Sequence, residues 1–289
     1  MENFWGNGTV DHNNTSDDLD KLARYLLPTV VIVQPLGLPT NALVLRLLLA
    51  KPGICSTSDI FILNLTLFNL LFCMMIVIEY IRFLFVWTVE SASFLAFALN
   101  QTGGPLLLTC LALNRYMAVC HPLLFLQLKD PKVRLSMCFA VSAITAACCF
   151  LVKYLTFGWN MVSVLLVFDI VIISTCNILI LKSLRQSGPN TKAVHPVKMR
   201  ALKIVLTTLV LVNFHYTPSL VEYLLRNCGP VYFRPFSVFT SVASALLSTG
   251  TFMQPLSYLI RTKQLHKMRC ACGSAAETKT EATGQSGPS

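Results

Sequence analysis

The feature that most constrains this chain is the recurrence, along most of its length, of apolar stretches of about twenty residues or more that are nearly free of charge. A bilayer core roughly 30 Å thick is crossed by about 20 residues at a rise of 1.5 Å each. A helix satisfies its own backbone hydrogen bonds in hydrocarbon, which an isolated extended segment cannot do. Seven spanning helices are therefore predicted, at 26–50, 58–80, 91–118, 135–157, 161–183, 201–226 and 236–260. Composition agrees, since 54% of the residues are hydrophobic and 12% charged, too few polar groups for a water-facing surface. The first stretch lies too far from Met1, between polar flanks, to read as a cleaved signal peptide, and is taken as the first helix. The expected fold is an all-α seven-transmembrane bundle over 26–260, with an extracellular segment at 1–25, an amphipathic membrane-surface helix at 261–272 and a disordered tail at 273–289.

A formal net charge of +10 could indicate nucleic acid, so its distribution matters more than its size. Lys51, Lys129, Lys132, Arg134, Lys182, Arg185, Lys192, Lys198, Arg200, Lys203, Arg261, Lys263, Lys267 and Arg269 fall on one side of a seven-span topology. The opposite connections carry only Arg82, Lys153, Arg226 and Arg234. By the positive-inside rule the rich side is cytoplasmic, the N-terminus is extracellular, and the basic charge is topological, not a nucleic-acid surface. The N-terminal segment is acidic and carries glycosylation sequons at Asn7, Asn13 and Asn14 on the side assigned to the outside. Similar triplets at Asn64 and Asn100 fall within spans and read as helix polar groups. Of 11 cysteines most lie within apolar spans as small buried residues, with Cys228 expected on an outer loop. Cys270 and Cys272 follow the basic amphipathic stretch and are candidates for S-palmitoylation. No internal repeat is visible, which weighs against transporter folds.

Several residues are polar where hydrocarbon makes polarity costly. Asn41, after Gly37 and Pro39, and Asn69 in the second span are expected to bond between helices. Arg115 ends the third span, where an isolated arginine would simply reach the phosphates. Arg115-Tyr116 is followed, however, by Ala118-Val119 and His121-Pro122, and this segment resembles the signature closing the third helix of rhodopsin-like G-protein-coupled receptors. Asn41, Trp87, Pro218 and the run Gln254-Pro255-Leu256-Ser257-Tyr258 match further family positions in order and spacing, over about 26–270.

The resemblance implies that Arg115 contacts a heterotrimeric G protein when the helices open, that Pro218 kinks the sixth helix, and that Tyr258 swings into the space it vacates. Departures from the family pattern accompany these matches. Asn69 stands where the family has a sodium-binding aspartate, and an amide brings no negative charge to a hard cation. Asn114 replaces the acidic neighbour of the arginine, and Tyr216 the usual indole beside Pro218. Glu90 occupies the place of the disulfide cysteine, and the loop 153–160 has no cysteine to pair with it.

Glu79, Arg82, Glu90, Glu222 and Arg226 form a mixed-charge set toward the outer half, candidates for holding a polar ligand. Glu222 and Arg226 could equally form a local i,i+4 pair. Asp169, deeper in the fifth span, is expected to face the interior. The histidines are dispersed, no metal-ligand spacing occurs and no phosphate loop is present, so neither catalysis nor a cofactor is expected. The expected function is a plasma-membrane receptor that transduces an extracellular small ligand, odorant-, nucleotide- or lipid-like, to heterotrimeric G proteins. The alternative is a non-signalling seven-helix partner that dimerises with or traffics another receptor.

Overall fold

The computed structural model describes residues 34–50, 58–86, 92–127, 130–155, 157–186, 195–228, 239 and 242–260. They form α1 (Gln34–Leu49), α2 (Asp59–Val86), α3 (Ala92–Cys120), the short α4 (Pro122–Gln127), α5 (Pro131–Tyr154), α6 (Gly158–Gln186), α7 (His195–Cys228) and α8 (242–260). Seven of these are long, and each coincides with one predicted span. The fold is the expected all-α seven-helix bundle.

The differences lie at the ends. Helix α7 starts at His195, not 201, and runs through Cys228, so that cysteine closes a helix and does not sit on a loop. Helix α5 starts at Pro131, ahead of the expected 135, because Asp130 caps it: its carboxylate accepts from the Lys132 N–H at 2.9 Å and Pro131 needs no N–H partner. The N-terminal segment, Trp87, Glu90, the helix expected at 261–272 with Cys270 and Cys272, and the tail lie outside the described residues.

Helices α2, α5 and α6 are long and apolar enough to cross a membrane by themselves, over Asp59–Arg82, Pro131–Tyr154 and Gly158–Leu184. Their outward faces carry large apolar side chains such as Phe85, Phe139 and Phe168, which lipid tolerates and water would not. Helix α3 carries Asn100, Gln101, Thr102 and Thr109 along its length. It packs against α2, α5 and α6, so protein and not lipid covers it. Its Gly103 and Gly104 permit close approach: a methyl group on Gly104 would sit 3.0 Å from the Tyr216 hydroxyl, and one on Gly103 3.2 Å from the Phe68 ring. The core around α3 includes Phe61, Leu107, Leu111, Val141, Ile173, Val212 and Tyr216.

Candidate functional site

Proline at 255 in α8 has no N–H to give to the carbonyl four residues earlier, that of Thr251. Asn41 supplies the missing donor from α1, its Nδ2 lying 2.8 Å from the Thr251 oxygen and 2.8 Å from that of Gly37. Asn69 on α2 donates to the Asn41 Oδ1 at 3.3 Å. Both asparagines are buried, so three helices are tied by amides that would otherwise be unsatisfied in a nonpolar medium. The triplet asparagines behave as helix polar groups: Asn64 donates to the Ile60 carbonyl at 3.0 Å, and Asn100 is buried.

Beside this knot, a cavity of about 70 Å³ opens between α2, α3, α7 and α8, with room for a few waters. Asn69, Arg115, Thr208, His215, Gln254 and Tyr258 contribute its polar lining. Pro255 also borders it, so four of the predicted switch and core residues, Asn69, Arg115, Pro255 and Tyr258, share one space. Arg115 Nη1 reaches the Thr208 hydroxyl at 3.4 Å, a long bond between α3 and α7. Asn114 is buried next to it in sequence. Tyr116 turns to the other side of the helix end, its hydroxyl 3.0 Å from His121 Nε2 with the rings edge to face, and so ties α3 to the start of α4.

One layer further along α7, Tyr216 is almost fully buried against Gly104 and accepts a hydrogen bond from Gln254 Nε2 at 3.2 Å. His215, beside it, bonds the Leu211 carbonyl through Nδ1. A carbonyl only accepts, so Nδ1 carries the hydrogen. His215 Nε2 and Gln254 Oε1 are buried with no hydrogen-bond partner among the described residues, and both residues line the cavity. Water in the cavity can satisfy both. Pro218, half-buried one turn outward, leaves the Phe214 carbonyl without its helical donor and makes this the weak point of α7.

At the other side of α3, the Thr109 hydroxyl donates to Asp169 Oδ1 at 2.7 Å, joining α3 to α6. In the candidate ligand set, Glu79 is buried and pairs with Arg82 one turn on, at 3.8 Å, within α2. Glu222 is half-buried on α7. Glu90 and the side chain of Arg226 lie outside the described residues, as do Asn7, Asn13 and Asn14.

Three features were not read from the sequence. Thr208 and Thr109 are ordinary residues in apolar helices, and only the neighbouring helix reveals what their hydroxyls meet. Arg134, grouped with the loop cations, is buried in the first turn of α5, its Nε and Nη2 without a hydrogen-bond partner among the described residues. The clue was available in Asp130-Pro131, a helix start that draws Arg134 inside.

Residues 40–164 match the family model of the 7 transmembrane receptor (rhodopsin family). The chain is 32% identical over 160 residues to the type 3 purinoceptor of Gallus gallus, covering 52% of this chain and 46% of that protein. It is 31% identical over 110 residues to C-X-C chemokine receptor type 2 of Oryctolagus cuniculus, covering 37% of this chain and 31% of the relative. It is 34% identical over 109 residues to the type 6 purinoceptor of Rattus norvegicus, covering 35% and 33%. The chain thus spans less than half the length of these curated relatives.

Proposed function

We propose that the chain, whose residues 40–164 match the rhodopsin-like family of seven-transmembrane receptors, a family of receptors and not of enzymes, transduces an extracellular small ligand to heterotrimeric G proteins. The observation that carries this reading is the cavity in which Arg115 meets Thr208 on α7 and faces Tyr258 on α8. A long bond closes α3 against α7 there, and the hinge at Pro218 lies about 15 Å farther along the same helix, ten residues on at 1.5 Å each. A rotation about that hinge moves the inner half of α7, Thr208 included, and breaks its contact with Arg115. It exposes a guanidinium able to bond a partner's carbonyls or carboxylates.

Among the small-ligand classes, a nucleotide is favoured by the purinoceptor relatives. It would be anchored through its negative charge at the outer cations Arg82 and Arg226, with Glu79, Glu90 and Glu222 setting their orientation. The receptor sits in the plasma membrane with its N-terminus outside, glycosylated at Asn7, Asn13 and Asn14. Epitope tags at both ends, probed on intact cells, test the orientation: staining of the C-terminal tag without permeabilisation contradicts it.

Signalling is tested by a ligand-free second-messenger assay across G-protein classes, comparing the chain with Arg115→Ala at matched surface expression. A basal signal lost in the variant is expected. Equality of both with mock-transfected cells in every assay, with intact surface expression, favours a partner protein that dimerises with or traffics another receptor.

A further inference from the structure

Asp169 is a carboxyl group in the middle of a membrane-spanning helix, 2% exposed, with one oxygen bonded and one not. Thr109 donates its hydrogen to Oδ1, whereas Oδ2 has no hydrogen-bond partner among the described residues. An ionised carboxylate removed from water requires a cation or several strong donors. Helix α6 packs against α3, α5 and α7. Among the described residues, the titratable groups within electrostatic reach are Cys110 on α3 and Tyr216 on α7, with Cys138 on α5 beyond Cys110. None of them is a cation. His215 on α7 lines the cavity beside α8, which Asp169 does not border.

From this geometry we propose that Asp169 is a proton-binding site, holding a hydrogen on Oδ2 as a neutral acid while α3, α6 and α7 are packed as observed. The two oxygens then have distinct roles. Oδ1 is the carbonyl oxygen that accepts from Thr109, and Oδ2 is the hydroxyl oxygen. If α6 and α7 part and water reaches the group, Oδ2 releases its proton to solvent and leaves a carboxylate, which cannot return to the closed packing until it regains one. Proton release is thereby coupled to opening of the α3–α6–α7 interface, and acid favours the closed arrangement. The inference concerns the protonation of the folded chain and stands whether or not the receptor signals.

The test is infrared spectroscopy of the purified full chain in lipid nanodiscs at neutral pH. The expected result is a carbonyl stretching band of a protonated carboxylic acid that disappears in Asp169→Asn. That variant is a near-isostere of the neutral acid and keeps an acceptor for Thr109, so its thermal unfolding midpoint should stay within about 2 °C of the parent chain. Thr109→Val removes the bond to the carbonyl oxygen and should move the same band to higher frequency, which assigns it to Asp169 even if Asp169→Asn fails to fold. Absence of a protonated-acid band, or a band indifferent to both substitutions, overturns the proposal. An unfolding midpoint that depends on sodium in the parent chain and not in Asp169→Asn overturns it too, by showing a carboxylate neutralised by a metal cation.

Discussion

Replacing Asn41 by alanine removes the side-chain donor that the structure brings to the Thr251 carbonyl, which Pro255 has deprived of its helical partner. It also removes the acceptor of the Asn69 amide. A buried polar group stripped of its partner costs about 1–3 kcal/mol in water-soluble proteins. Hydrogen bonds between membrane helices average nearer to about 0.6 kcal/mol, with a maximum of about 1.7, because partners are also found in the unfolded state within the membrane. For the two interhelical bonds together, a loss of about 1.5 kcal/mol is expected, which lowers the unfolding midpoint by about 3–6 °C. The sharper measurement is a double-mutant cycle. Pro255→Ala gives residue 255 an N–H, which can bond the Thr251 carbonyl within α8. In that background Asn41→Ala should cost about 1 kcal/mol less than it does in the parent chain. Thermal unfolding of the four purified proteins in the same nanodiscs measures this directly. An Asn41→Ala penalty of the same size in both backgrounds would refute the pairing of Asn41 with the proline-freed carbonyl.

Asn114→Asp should lower ligand-independent signalling. If the acid beside Arg115 and the sodium-binding acid each hold the family's resting state by roughly 1 kcal/mol, losing both shifts a two-state equilibrium by about 30-fold, and restoring one recovers about fivefold in a second-messenger assay. Gly104→Ala should destabilise the fold by about 1–3 kcal/mol by forcing the Tyr216 hydroxyl away from α3, and should cost less when combined with Tyr216→Phe in thermal unfolding. Cys270 and Cys272 should show hydroxylamine-sensitive acyl exchange, and the signal should vanish in the Cys270→Ser, Cys272→Ser double variant.

The helix count and approximate limits were legible because hydrocarbon imposes one requirement on every span, a run of apolar residues of fixed length. Helix ends were less legible, as local capping decides them: Asp130 moved the start of α5 by four residues and drew Arg134 into the helix. Asn41 could be recognised as a polar group needing a partner, but nothing in the sequence pointed to Thr251. Which carbonyl it meets depends on the rotation of α8 about its axis. In sequence Tyr216 reads as a departure from the family pattern and Gln254 as the start of a matching run. In space they are bonded to one another, so a phenol whose hydroxyl needs a partner and an amide that supplies one form a single adaptation. Asp169 was readable as an interior residue, whereas its division into one oxygen bonded to Thr109 and one without a partner among the described residues was not.

The polarity of α3 also bears on how the chain is made. Helices leave the translocation machinery one after another, and each must partition into lipid on its own apolarity or wait for a neighbour. Helix α2 is the more apolar of the two, whereas α3 carries Asn100, Gln101, Thr102 and Thr109, and two of the helices that cover it, α5 and α6, are synthesised later. Packing of α3 against α2 before the second half of the bundle arrives would shelter those polar groups from lipid. The close approach of Gly103 to the Phe68 ring on α2 is one contact that serves this packing.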